Sequence, residues 1–181
     1  MSFRYEVRLS GSGGQGLILA GKILAEAAAI YDEKNATQSQ SYGPEARGGS
    51  SRSEVIISDE EIDYPKAVNI DFLLALTQES CDKYSKDLKE NGILLVDSSY
   101  VAKIPTGKFK MYALPITETA EKDAGRSLVA NIVALGVIAQ LTNVVSKESI
   151  ESAILSRVPK GTEELNIKAF RAGLELAKKA G

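Results

Sequence analysis

A chain of 181 residues, 44% hydrophobic and 25% charged, is long enough for one domain with a sizeable core. A formal net charge of −2 and the lack of any basic block argue against nucleic-acid binding by phosphate neutralisation. With no histidine and a single cysteine, Cys81, the chain alone excludes imidazole catalysis, a thiolate zinc site, an iron–sulfur cluster and an internal disulfide, and the lack of a disulfide suits a cytoplasmic setting. Met1 to Glu6 lacks the apolar stretch of a secretory signal. The longest apolar run, Leu128 to Leu141, is broken by Asn131, Gly136 and Gln140, so no membrane span is expected.

Phe3 to Leu9 reads as a first strand. It leads into a glycine turn, Ser10-Gly11-Ser12-Gly13-Gly14-Gln15-Gly16. Leu17 to Tyr31 reads as a helix whose Leu17, Ile18, Leu19, Ile23, Leu24, Ala27, Ala28 and Ile30 form a broad apolar face, with Ala20, Gly21 and Ala25 permitting close approach to a sheet. Four glycines in the turn remove the Cβ atoms that keep a ligand off the backbone. The N–H groups of Gly14, Gln15 and Gly16 are expected at the positive end of that helix, where an anion, a polar cofactor edge or a partner backbone is held. Gly11, Gly13 and Gly16 fit G-x-G-x-x-G between a strand and a helix. A dinucleotide fold also wants an apolar second strand ending in Asp or Glu about 20 residues on. The next stretch, Asn35 to Tyr42, is instead polar, and Asp32 and Glu33 come too early.

Ala36 to Tyr42 reads as a second strand and Ser53 to Ser58 as a third, with Asp59 to Pro65 a loop. Ile70 to Thr77 is a nearly continuous apolar run of the kind a parallel sheet buries on both faces. A helix is expected over Gln78 to Asn91, stopped by Gly92, with Cys81 near its start as a structural rather than nucleophilic residue. Gly92 to Ser98 reads as a further buried strand, and Lys108 to Pro115 as a sixth. The last third is helical. Ser127 is expected to cap a helix over Leu128 to Leu141, Ser146 the next, ending near Val158-Pro159, and Thr162 a last one running to about Lys179. These elements describe a single α/β domain over residues 1–181, three-layered and Rossmann-like, with a mostly parallel twisted sheet and helices on both faces.

The second glycine turn, Tyr42-Gly43-Pro44-Glu45-Ala46-Arg47-Gly48-Gly49, combines one fixed φ angle with several free ones. It carries one carboxylate, Glu45, and one guanidinium, Arg47, whose planar fork suits a carboxylate or phosphate. Ser50, Ser51 and Arg52 add donors. Glu45 and Arg47 either serve a ligand or pair with each other or a neighbouring chain to hold the loop. Asn131, on an otherwise apolar helix stripe, must find partners if buried: a loop backbone or the ligand site. Gly136 reads as a close-packing position against the sheet, and Asn166 and Phe170 carry no assigned chemistry.

The turn Gly11-Ser12-Gly13-Gly14-Gln15-Gly16, the segment Ser41 to Gly49, Asn131-Ile132-Val133-Ala134-Leu135-Gly136 and Asn166 to Gly173 occur in that order. Together they resemble the gamma subunit of 2-oxoacid:ferredoxin oxidoreductases over almost the whole chain, most of all the gamma chain acting with 2-oxoglutarate. The resemblance implies oxidative decarboxylation of a 2-oxoacid with coenzyme A to an acyl-CoA, CO2 and reduced ferredoxin. Thiamine diphosphate with Mg and iron–sulfur clusters would do the redox chemistry in sister chains, namely alpha, beta and a ferredoxin-like delta subunit. The sequence has no Gly-Asp-Gly motif and no cluster cysteines, so the chain is expected to be inert alone. Its contribution to a shared site, coenzyme A binding included, is expected from Gly11, Gly13, Gly14, Gln15, Gly16, Tyr42, Glu45, Arg47, Gly48, Gly49 and Asn131. The rival readings are a stand-alone dinucleotide- or flavin-binding domain and a purely structural interaction subunit.

Overall fold

The computed structural model describes residues 3–42 and 50–181, with Tyr42 described in its backbone only. A six-stranded sheet has the order β2-β3-β1-β4-β5-β6. Its strands are β1 (Arg4–Ser12), β2 (Asn35–Tyr42), β3 (Ser50–Ser58), β4 (Ile70–Ala75), β5 (Leu88–Asp97) and β6 (Lys110–Leu114). β1, β4, β5 and β6 run parallel, as their apolar runs require. β3 lies antiparallel to β1, and β2 antiparallel to β3. β2 is a sheet edge with exposed Ser39, Gln40 and Ser41, which explains its polar sequence.

Helices cover both faces, unequally. α1 (Leu17–Glu26), α3 (Ile116–Ala124), α4 (Ala130–Thr142), α5 (Lys147–Arg157) and α6 (Glu163–Ala180) contribute, with Val7, Leu9, Val55, Ile57, Phe72 and Leu95, to one large core. α2 (Gln78–Tyr84) covers the other face, where Cys81 and Tyr84 meet Ile56, Leu73, Leu94 and Val96. On that side Arg8 is buried yet paired, with Glu54 at 2.8 Å and Asp87 at 2.6 Å, and its guanidinium lies 5.0 Å from the Tyr84 ring centre. Losing both carboxylates would strand a buried charge, so this group ties Tyr84 of α2 and the turn after it to β1 and β3.

Several expectations change. The helix over Gln78 to Asn91 stops at Tyr84; a 3₁₀ turn follows, and β5 starts at Leu88. Gly92 is therefore not a helix stop. It lies inside β5 after Asn91 at φ 66°, where the pairing with β4 shifts register between Ile70 and Phe72, and a Cβ on it would crowd the carbonyls of Lys89 and Asp71. α3 was not foreseen. It buries only Ile116, Thr119 and Ala120 and ends at Gly125, φ 80°. Thr162 makes no side-chain cap; its hydroxyl donates to the Pro159 carbonyl at 2.6 Å. Ser146 does cap α5, accepting from Ser149 N at 3.2 Å. The helix after the glycine turn ends in a π-helical segment, Ala27–Tyr31, where Asp32 N donates to Ala27 O at 3.0 Å.

α4 is buried continuously from Ala130 to Ala139, which makes it the central helix. Gly136 packs against α6, not the sheet: a Cβ there would strike the Phe170 carbonyl, and one on Gly173 the Val133 carbonyl. Gly21 on α1 does meet the sheet, at the Ser53 side chain.

Two outcomes follow from this packing. Helix propensity alone makes Gly136→Ala stabilising by about 1 kcal/mol. Because the obstacle is backbone, denaturant unfolding should instead show a loss of roughly 1–3 kcal/mol. The second concerns Asp32, which accepts from Ser146 N at 2.8 Å and from the Ser146 and Ser149 hydroxyls, joining the end of the π segment to the start of α5. Burial is the largest single influence and pushes its pKa up, but the Ser149 and Ser146 hydrogen bonds and Lys34 outweigh it and hold the carboxyl below 3.8. A carboxylate depressed by folding contributes fully above its unfolded value and loses that contribution as pH falls through its folded value. Urea midpoints should thus fall as pH drops below about 3.8, and Asp32→Asn should remove that part of the acid dependence while lowering stability at neutral pH.

Candidate functional site

Four parallel strands present their carboxyl ends on one edge of the sheet. Between β1 and β4 the chain reverses its direction of travel across the sheet, since β1 leads toward β2 and β3 while β4 leads toward β5 and β6. Open α/β sheets bind ligands in the crevice at such a switch point. A cleft of about 530 Å³ lies there. β1 contributes Ser12, Gly14 and Gln15 from the turn beyond it, and β4 contributes Leu76, Thr77 and Gln78. Tyr100 comes from the loop after β5 and Thr117 from the segment after β6, with Ser127, Leu128 and Ala130 closing the side toward α4.

The first glycine turn is built for close contact. Gly16 is the N-cap of α1, in the left-handed region at φ 73°, and no side chain caps this helix. A Cβ on Gly16 would meet the amide of Asn131, which instead donates from Nδ2 to the Gly16 carbonyl at 3.0 Å. Gln15 folds back so that its Oε1 accepts from Ser12 N at 2.7 Å, and a Cβ on Gly11 would collide with that oxygen. Gly11 is thus required by the turn itself and is paired with Ser51 across the sheet. Gly13 and Gly14 are exposed, and Gly14 has φ 86° with open space where a Cβ would stand.

The expected site residues therefore divide. Gly14 and Gln15 line the cleft. Gly16 and Asn131 line a second, mostly apolar cleft of about 260 Å³ with Leu19, Val129 and Leu165, and Leu128 borders both. Asn131 meets a loop backbone, the first of its two readings. Asn166 lines the second cleft while donating to Thr162 O at 2.9 Å. Tyr42 ends β2 opposite Ser51. Glu45, Arg47, Gly48 and Gly49 lie outside the described residues. Their flanks are described: Ser12 pairs with Ser50, so the segment between β2 and β3 leaves and re-enters the sheet at the end where the first turn stands.

Residues that sequence reasoning passed over complete the cleft. Ser127 was read as a cap, but Ser127–Val129 forms a 3₁₀ turn without a side-chain cap, and Ser127 faces the cleft. Thr117 stands on Asp97, a buried carboxylate that accepts from Thr117 N at 3.1 Å, from Thr117 Oγ1 at 2.5 Å and from Ser99 N at 3.1 Å. Gln78 accepts through Oε1 from Ala102 N and Lys103 N, both at 3.0 Å, fixing the loop that bears Tyr100. For Gln78, Tyr100 and Thr117 the signal was their place after a parallel strand.

No charged side chain lines the cleft among the described residues. Cys81 is buried on the inner face of α2, and burial, with Asp82 adding, pushes its thiol pKa up, the reverse of what a metal-binding thiolate needs. Among the described residues no group of three or more His, Cys, Asp or Glu could hold a metal ion, and no helix is long and apolar enough to cross a membrane. The donor set of this chain does not fit an iron–sulfur cluster.

Comparison with known proteins agrees with the motifs. Residues 6–176 match the pyruvate ferredoxin/flavodoxin oxidoreductase family. The chain is 56% identical over 180 residues to the 2-oxoglutarate synthase subunit KorC of Methanocaldococcus jannaschii, covering 98% of this chain and 96% of that one. It is 49% identical over 179 residues to KorC of Methanothermobacter marburgensis, covering 96% of each. The solved structure of a keto/oxoacid ferredoxin oxidoreductase gamma subunit from Geobacter sulfurreducens PCA superposes with a TM-score of 0.91 at 62% identity, covering 98% of both chains. On this fold and these relatives, the chain belongs to the pyruvate ferredoxin/flavodoxin oxidoreductase family, as a gamma-type subunit.

Proposed function

We propose that this chain is the gamma subunit of a cytoplasmic 2-oxoglutarate:ferredoxin oxidoreductase and that its two glycine turns form a wall of the shared site, where they help bind coenzyme A. The complex would convert 2-oxoglutarate and coenzyme A to succinyl-CoA and CO2 while reducing ferredoxin. Support for the oxoacid comes from the KorC relatives. Thiamine diphosphate with Mg and the iron–sulfur clusters would supply the carbanion and electron chemistry from alpha, beta and a ferredoxin-like delta subunit. This chain's part is to bind and orient.

The observation that carries the site reading is the register Ser12 with Ser50 and Tyr42 with Ser51. It brings the ends of the second turn beside the first, next to a cleft at the switch point of the sheet. In the proposed arrangement Arg47 pairs with a phosphate or a carboxylate, and the Gly13 to Gly16 backbone offers N–H donors from the adjacent lip. The cleft, which no charged side chain lines among the described residues, would take the rest of the ligand.

A charge-assisted contact of this kind is worth about 1.5–3 kcal/mol net. Arg47→Ala in the reconstituted complex should therefore raise the Michaelis constant for coenzyme A about tenfold or more, with assembly intact. Unchanged kinetics would remove Arg47 from the site. Loss of assembly with normal kinetics in the residual complex would favour a purely structural subunit. The purified chain alone should show no oxidoreductase turnover with any 2-oxoacid and bind no flavin by visible absorbance; turnover or a flavin spectrum would refute the subunit reading.

A further inference from the structure

We infer that β2 is the seat of a second copy of this chain: two β2 strands pair antiparallel about a two-fold axis at the middle of the strand, and the two sheets become one. The inference is independent of which ligand the shared site takes.

The two edges of the sheet are finished differently. β6 has five residues, begins at Lys110, follows Lys108 and runs into Pro115. Short length, lysine and proline all guard an exposed edge against pairing. β2 has eight residues, with no proline and no charge. Its pairing with β3 keeps one register from Asn35 with Ser58 to Tyr42 with Ser51, so no bulge twists it away. Among the described residues no strand lies on its outer side. Every second residue of such a strand turns its N–H and C=O outward, which makes a template for one more strand.

The side chains say which strand. Thr37, Ser39 and Ser41 carry hydroxyls and Gln38 and Gln40 carry amides, groups that donate and accept alike. A strand of that kind is complementary to its own antiparallel copy, and no like charges on it meet across the axis. Gln38 shows the same chemistry within the chain, donating from Nε2 to Gln40 Oε1 at 3.2 Å and to the Ser53 hydroxyl at 3.1 Å.

The surface beside β2 adds apolar area. A cleft of about 330 Å³ lies between β2 and α1 with its π-helical end, and Ala25, Ala29, Ile30 and Ala36 line it. Ile30 is 64% exposed and Tyr31, next to it, 43%. The small side chains of Ala25 and Ala29 let a second helix come close, so joining the strands also covers the cleft and Ile30. Its rim charges are the ion pair of Glu26 with Arg157, at 3.3 Å, and the exposed Lys22. Backbone pairing thus comes with burial of apolar surface, which a bare strand edge does not supply.

The test is sedimentation equilibrium of the full 181-residue chain over concentrations from about 1 µM to about 200 µM. A concentration-dependent dimer is expected. Gln40→Lys sets like charges on the join, and Ser53 opposite it on β3 offers no acid to neutralise them. It should raise the dimer dissociation constant about tenfold or more while leaving the far-ultraviolet circular dichroism unchanged. Because Cys81 is buried, an added thiol can be cross-linked selectively. Under mild oxidation Ser39→Cys should give a covalent dimer and Met111→Cys, on β6, should not. A chain that stays monomeric throughout, a dimer that Gln40→Lys leaves intact, or cross-linking through Met111→Cys alone would overturn the inference. Slowed amide exchange of β2 in the reconstituted complex, with the isolated chain monomeric, would give this edge to a sister chain and overturn self-pairing as well.

Discussion

A short contact ties the first glycine turn to α4: the Asn131 amide on the Gly16 carbonyl, 3.0 Å apart. It exists only because residue 16 has no side chain and takes a left-handed backbone angle. The same carbonyl also accepts from Ala20 N, the first helical bond of α1. The start of α1, the end of the glycine turn and the first turn of α4 are therefore fixed with respect to one another. Gly14 and Gln15 on the turn and Ala130 at the start of α4 border the cleft next to this junction. α4 in turn is held by α6 through the facing glycines 136 and 173, so the helical layer is stacked on backbone contacts that tolerate no added methyl.

The two faces of the sheet are stabilised by different physics. One is an extended apolar layer under five helices. The other carries a single seven-residue helix, a smaller core and a buried guanidinium tied to two carboxylates and one aromatic ring. A paired buried charge adds little net stability over an apolar substitute but is costly to break. Its effect in this protein is orientation. It keeps α2, and with it Gln78 and the loop carrying Tyr100, in register with β1.

This chain's one thiol is buried, and its cleft lacks ionised side chains among the described residues. What it has is shape: glycine backbone that approaches closely, hydroxyls and amides of fixed donor or acceptor sense, and an aromatic ring on a braced loop. Those are the tools of binding and orientation, which a partner with the reactive groups can use.

The residues alone determined the class of the fold and most of its elements, because apolar runs such as Ile70 to Ala75 and glycine turns such as Gly11 to Gly16 carry their structure in short range. They also pointed to Asn131 as a polar group in need of a partner. The helix drawn too long beyond Tyr84 failed because Leu88 is claimed by pairing with Ile70, and α3 is a short helix that buries only Ile116, Thr119 and Ala120. The same limit applies to the site. Gly14 and Gln15 were legible as a local motif, whereas Thr77, Tyr100, Thr117 and Leu128 come together only when four separate strands end on one edge. The partner of Gly136 was likewise a tertiary decision, since a glycine states that something approaches closely but not whether it is a sheet or another helix. Sequence spacing records neighbours along the chain. Which distant segments share a wall is set by the order of strands and the packing of helices, and that information belongs to the folded state.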